Sequence, residues 1–197
     1  MTDLREFPGR ETPRLLLRQF TADDLDELAA IHADPEVMKY LGLRGAPLMR
    51  EEAEMMLVSI ISTWRNTGFG RWAAVDRVTR RLAGYAGFRP FGVRAELVYV
   101  LGRPYWGRGL ATEAARECLR FASEEKLFDE VVAFTRVANL ASRRVLEKIG
   151  MRYEGEAEFF SLLRDAGIKC AQAVAGLEIP VAYYSASLRV EAAQPRD

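Results

Sequence analysis

The chain has 197 residues, with 28 Lys plus Arg balanced by 28 Asp plus Glu, so its formal net charge is zero. No overall basic field is present to hold nucleic acid, and no acidic field marks out a polycationic target. The length fits one domain, 1–197, with a core over about 11–190. Two cysteines, Cys118 and Cys170, and a single histidine, His32, argue against a Cys/His metal site. The first ten residues contain no apolar core like that of a signal peptide, and no run is long enough to span a bilayer, so a cytoplasmic protein without a membrane partner is expected.

In chain order, residues 14–20 predict a strand, with Leu15, Leu16 and Leu17 in a mostly buried setting. Thr21 is placed to cap a helix whose start carries Asp23, Asp24 and Asp26, and Leu25, Leu28, Ala29 and His32 share one of its faces. Pro35 starts a short helix or turn, 42–47 is a loop, and 49–67 is a helix with Ala53, Met56, Leu57, Ile60, Ile61 and Trp64 as its apolar stripe. Strands follow at 71–76 and 82–88 across a polar turn, and Pro90 and Gly92 break the chain before a strand at 96–101. The helix at 110–126 turns Ala111, Ala115, Cys118, Leu119 and Ala122 inward, which makes Cys118 a buried thiol. Residues 130–135 form a short strand, 138–149 a helix stopped by Gly150, and 151–159 and 181–188 the last strands. Between those two strands, 160–178 is an Ala-rich, partly helical insertion suited to a surface, a dimer contact or a lid. A meander followed by strand–helix–strand–helix gives an α/β fold with a mixed, mostly antiparallel sheet of about seven strands flanked by helices.

The junction Arg103-Pro104-Tyr105-Trp106-Gly107-Arg108-Gly109-Leu110-Ala111-Thr112-Glu113 joins a strand to a helix. Its two glycines allow the backbone to approach a ligand without a Cβ in the way. The first-turn amides of the helix are unpaired donors in a positive dipole field, which suits a phosphate or pyrophosphate. A P-loop is excluded because no Lys-Ser or Lys-Thr follows the glycines, and the dinucleotide fingerprint fails at Thr112.

A second motif, Asn139-Leu140-Ala141-Ser142 followed by Leu146, Lys148, Ile149, Gly150 and Met151, opens the next helix. Together the two motifs resemble the GNAT superfamily of acetyl-CoA-dependent N-acetyltransferases, over roughly residues 11 to 160 and nearest to the RimJ/RimL-like, ribosomal-protein N-terminal branch. The resemblance implies a GNAT fold whose sheet splays between its fourth and fifth strands, here 96–101 and 130–135, with the pantetheine arm of acetyl-CoA (coenzyme A) in the gap. It implies that amides from Trp106 through Thr112, that is Trp106, Gly107, Arg108, Gly109, Leu110, Ala111 and Thr112, hold the pyrophosphate. Arg103 and Arg108 add charge, and Leu101 and Gly102 meet the acetyl end. Trp106 stands where the family usually has Gln or Arg. Asn139 would hold pantetheine or cap its helix. Ser142 would lie beside the cofactor sulfur, since the tyrosine many relatives carry further along this helix is replaced by Leu146.

Acyl transfer to an amine needs the amine neutral, the oxyanion stabilised and the thiolate protonated. An α-amine titrates at about 7.7 to 8.0 and a lysine at about 10.4, so a modest base suffices for the former. Glu96 is the candidate base. It begins an apolar strand, shares a face with Val98 and Val100, and would have its pKa raised by burial. The alternative is a solvated strand-end carboxylate. Trp64 and Trp72 read as core, whereas Tyr40 and Tyr184 are candidates to wall the acceptor groove. Glu113 reads only as a good first-turn residue. The function predicted is acetyl transfer to a primary amine, on a protein N-terminus or a small molecule, by a monomer or homodimer. The alternative is a catalytically idle acyl-CoA-binding module, which the presence of both Glu96 and Ser142 disfavours.

Overall fold

The computed structural model describes residues 9–168 and 178–188. Eight strands form one sheet in the order β1-β2-β3-β4-β5-β6-β8-β7. They are β1 (Arg10–Glu11), β2 (Leu15–Arg18), β3 (Arg71–Asp76), β4 (Leu82–Phe91), β5 (Arg94–Leu101), β6 (Glu130–Arg136), β7 (Arg152–Glu158) and β8 (Pro180–Ser187). The expected seven are present, and β1 adds a two-residue pairing of Arg10 with Leu17 and Glu11 with Leu16. Every adjacent pair is antiparallel except β5 and β6.

Helices α1 (Leu25–His32), α2 (Pro35–Met38) and α3 (Arg50–Thr67) lie in sequence between β2 and β3. Leu28 and Ile31 of α1 and Leu57 and Ile60 of α3 bury against Ala73, Val75, Tyr85 and Val100 on one sheet face. Helix α4 (Leu110–Glu124) and helix α5 (Leu140–Lys148) follow β5 and β6. They cover the other face, where Leu110, Ala114, Cys118, Phe121 and Leu146 meet Trp72, Phe88, Leu97, Leu101 and Val131. Each fully buried Leu or Phe there contributes about 1.5–3 kcal/mol. Cys118, Trp64 and Trp72 are core residues as expected. Cys170 and residues 169–177 of the insertion lie outside the described residues; its described start is helix α6 (Phe159–Asp165).

One difference from expectation shapes the site. Pro90 does not end the strand expected at 82–88; β4 runs through it to Phe91 and β5 begins at Arg94, so the two form a tight hairpin in which Phe91 pairs with Arg94. Gly92, at φ 59°, turns the chain there with Val93. The hairpin places Arg89 opposite Glu96 and continues without a bulge to Gly84 opposite Leu101.

The second determining feature is the break between β5 and β6. Their ladder consists of Ala95 with Val131 and Glu96 with Val132 only. Beyond that point β6 stays paired to β8 through Arg136 opposite Val181, while the edge of β5 over 97–101 is open. The splay expected between 96–101 and 130–135 is therefore present.

Candidate active site

The open edge of β5 leads directly into the glycine-containing turn. Gly102 N–H donates to Ala83 O at 2.9 Å, toward β4. Backbone direction alternates along a strand, so Tyr99 and Leu101 present their N–H and C=O groups to the gap. Trp106 is 46% exposed, and its Nε1–H donates to Leu101 O at 2.6 Å. The residue that replaces the family's polar side chain thus fastens the turn to the strand end and occupies the Leu101 carbonyl.

Gly107 and Gly109 are left-handed, at φ 69° and 75°. A Cβ on Gly107 would meet nothing within 4 Å, and one on Gly109 would come no nearer than 3.7 Å to Arg14 Nη2. The space above the turn is thus open. Helix α4 starts at Leu110, and its first helical bond runs from Glu113 N to Gly109 O at 3.0 Å. The amides of Leu110, Ala111 and Thr112 consequently have no helical acceptor, and they face the positive end of a 15-residue helix. These features fit the pyrophosphate of a coenzyme A thioester. The two arginines differ. Arg103 Nε is bonded to Asp34 at 2.6 Å, which offsets part of its charge. Arg108 is only 3.9 Å from Asp76 and remains available.

Glu113 is more than a first-turn residue. Its carboxylate accepts from Thr12 Oγ1 at 2.6 Å, Arg14 N at 2.9 Å and Arg14 Nε at 2.7 Å. Arg14 Nη1 in turn donates to Arg108 O at 2.7 Å. The segment before β2 thereby latches the turn in place.

Across the gap, Asn139 Oδ1 accepts from Ser142 N at 3.1 Å and caps α5. Tyr99 OH lies 3.0 Å from Ser142 O and 2.9 Å from Ser142 Oγ. A phenol has one proton; giving it to the carbonyl leaves its oxygen to accept from Ser142 Oγ–H. Burial raises the Tyr99 pKa, so the phenol stays protonated. Sequence reasoning missed Tyr99, whose only signal was its place on the strand that starts at Glu96.

Glu96 lies on the opposite face of β5 from Tyr99, 2% exposed. It is not a solvated strand end. Arg89 grips both of its oxygens, with Arg89 Nη2 to Oε1 at 3.0 Å and Nε bonded to Oε2. Burial raises the Glu96 pKa, opposed by Arg89 and then Arg71. Tyr85 of the same face stacks on His32 at 5.7 Å, and the guanidinium of Arg71 lies 5.8 Å from the Tyr85 ring. Burial and then Arg71 depress the His32 pKa to about 4. The Arg89 partnership was legible only through the hairpin register.

Of the two acceptor-side tyrosines, Tyr40 lines an open cleft of about 500 Å³ with Lys39, Arg44, Arg136 and Pro180. Tyr184 does not reach it. The residue is fully buried on the α5 face, 5.3 Å from the Tyr153 ring, and bonded to Arg143 at 3.3 Å and Glu147 at 3.4 Å. Pairing with Ala133 points it away from Glu96, and it serves as core. Among the described residues, no group of three or more His, Cys, Asp or Glu is placed to hold a metal ion, and no helix is long and apolar enough to cross a membrane.

Residues 14–152 match the acetyltransferase (GNAT) domain family. The chain is 30% identical over 152 residues to "Uncharacterized N-acetyltransferase YoaA" of Bacillus subtilis (strain 168), spanning 76% of this chain and 85% of that protein. Among solved structures it resembles a GNAT-family acetyltransferase from Bacillus anthracis, with a TM-score of 0.73, 23% identity, and coverage of 92% of this chain and 99% of that one. It also resembles RimL, a ribosomal L7/L12 alpha-N-protein acetyltransferase in complex with coenzyme A, with a TM-score of 0.70, 18% identity, and coverage of 89% and 95%. At those identities the two structures speak for the fold.

Proposed function

The chain belongs to the GNAT acetyltransferase family, and we propose that it moves an acetyl group from acetyl-CoA to a primary amine by direct attack within a ternary complex. The observation that carries this is the conjunction at the gap: a left-handed glycine turn with unsatisfied helix amides at one end, and the Asn139–Ser142 cap facing Tyr99 across it. The thioester supplies an activated acyl carbon and a thiolate leaving group.

The residues divide the work by face. The amides of 107–112 and the Arg108 guanidinium hold the pyrophosphate, while the Tyr99 carbonyl and the Leu101 N–H, both on the open edge of β5, are offered to pantetheine amides. A preorganised Tyr99 N–H aimed into the gap is suited to a developing oxyanion. Ser142 Oγ–H turns from Tyr99 to donate a hydrogen bond to the departing sulfur, while Tyr99, which stays neutral and bonded to the Ser142 carbonyl, holds the hydroxyl in place. On the opposite face Glu96, with its burial-raised pKa, takes up the proton that the acceptor ammonium loses, through a relay because its own oxygens are held by Arg89. The acceptor, a protein N-terminus or small-molecule amine, enters beside Tyr40. The same reading takes the protein to work in the cytoplasm as a monomer or homodimer, without nucleic acid or membrane.

The direct test is release of free thiol from acetyl-CoA in the presence of peptide and small-molecule amines. Amine-dependent release supports the reading. Binding of acetyl-CoA with no release for any amine, peptide or polyamine would contradict it.

A further inference from the structure

Building on acetyl transfer at this gap, we infer that the acceptor is a primary amine carrying a carboxylate or phosphate within a few bonds of its nitrogen, held in the cleft beside Tyr40. The lining contributes Lys39 and Arg44 from the loop after α2 and Arg136 from the end of β6, and it contains no acidic residue. None of these three cations forms an ion pair among the described residues. Arg136 uses one nitrogen, Nη2, to hold Gly42 O at 3.0 Å and Leu43 O at 2.9 Å, which fixes the loop and leaves its other donors.

The positive character continues inward. Phe134 precedes Arg136 by two residues, so the two share a face of β6, and the Arg89 guanidinium lies 5.7 Å from the Phe134 ring. Arg71 has no carboxylate ion-pair partner among the described residues, and it feels the charges of both Arg89 and Glu96. The cleft thus carries three cationic side chains and no carboxylate, and on the same face of the sheet Arg89 and Arg71 together outnumber Glu96. Acids do occur beyond Pro180, where Glu156, Glu158 and Glu178 line a separate cleft. Glu158 there is spent on capping α6 through Ser161 N at 2.8 Å.

Two consequences follow from the charge. A simple polycation is repelled, whereas an anionic group gains charge-assisted hydrogen bonds to guanidinium or ammonium. The same field favours the neutral over the protonated amine, which helps the attack.

The experiment compares matched amines by thiol release at low ionic strength: free amino acids against their amides, phosphoethanolamine against ethanolamine, and, as C-terminal amides, Ser-Asp-Ala against Ser-Asn-Ala. These arms separate small-molecule carboxylate, phosphate and acidic peptide sources. At least one anionic member should exceed its neutral twin in kcat/KM by about tenfold or more, as one charged hydrogen bond warrants. In the double variant Lys39→Gln/Arg44→Gln that ratio should collapse to within about threefold, with the thermal shift caused by acetyl-CoA unchanged. Equal or better turnover of the neutral twins overturns the inference, as does an unchanged ratio in the variant. Loss of the acetyl-CoA shift in the variant would assign the cleft to the donor and also overturn it. Absence of turnover with every pair, while acetyl-CoA still binds, removes the anionic acceptor but leaves the donor site standing. Absence of acetyl-CoA binding in the unaltered protein removes the underlying reading itself.

Discussion

Replacing Glu113 by Gln keeps its shape and removes its charge at the latch that holds the phosphate turn. The carboxylate side chain is 14% exposed and its ion-pair partner Arg14 47%, with Arg14 Nη2 2.6 Å from Oε2. Because Arg14 is half in water, that pair is worth about 0.5–1 kcal/mol. The bonds from Thr12 Oγ1 and Arg14 N both end on Oε1, where each is worth about 1.5–3 kcal/mol to the charged acceptor and about 0.5–1.5 kcal/mol to the amide oxygen that Gln would put there. With the ion pair, a loss of about 2.5–4 kcal/mol results, or roughly 5–16 °C in thermal midpoint for a chain of this size. Burial alone would raise the Glu113 pKa, but the bonds from Thr12 and Arg14 overcome it and the pKa is lowered. A depressed carboxylate stabilises the fold above its unfolded pKa near 4.3, and that stability is lost as pH falls through the lower folded value. The gap between the two proteins should therefore be full at pH 7 and close in acid. Arg14 also carries the Arg108 carbonyl, so acetyl-CoA affinity should fall several-fold alongside. A midpoint change under about 1 °C at pH 7, or a gap that persists unchanged below about pH 4, would refute the latch.

Other expectations are equally direct. Ser142→Ala should leave acetyl-CoA affinity nearly intact and lower kcat, with Tyr99→Phe doing so more weakly; unchanged turnover in both makes the pair a structural cap only. Glu96→Gln should lower the rate about a hundredfold, with the deficit shrinking as pH rises and more amine is neutral; parallel pH profiles would remove its role as base. His32, neutral in the fold with a pKa of about 4 against 6.5 unfolded, must stay uncharged to remain buried. Its contribution is present above the unfolded pKa and lost as pH falls toward 4, about 2 kcal/mol between pH 7 and pH 5. Calorimetry should find that slope reduced in His32→Gln, and an identical slope would place the titration elsewhere.

Much of this architecture was legible because local chemistry and tertiary context agree. The glycine pair, the helix start at Leu110 and the Asn139 cap are short-range features, and each sits where its own backbone requirement puts it. In α3 periodicity selects the buried Ala53, Leu57, Ile60 and Trp64, and in α4 it selects the buried Ala115, Cys118 and Ala122 but passes over Leu110, Ala114 and Phe121. What was hidden depends on register and distant pairing. Reading Pro90 and Gly92 as breakers concealed the hairpin that brings Arg89 to Glu96. Tyr184 was misplaced because face, rather than nearness to a strand end, decides what a strand residue meets. Glu113 looks like any helix-start acid until Thr12 and Arg14, 101 and 99 residues away in sequence, fold against it.

The central claim is that the turn at Gly107 and Gly109 is the seat of the acetyl donor, and Gly109→Val tests it most directly. At a concentration of 100 times its Kd, acetyl-CoA should stabilise the unaltered protein by about 2.7 kcal/mol, or roughly 5–11 °C in thermal midpoint. Valine is disfavoured at φ 75° and projects a branched side chain into the space above the turn. The Gly109→Val protein, compared against its own unliganded midpoint, should lose that shift along with amine-dependent thiol release. A variant that folds, is stabilised to the same extent by acetyl-CoA and still releases thiol would place the donor elsewhere and contradict the assignment.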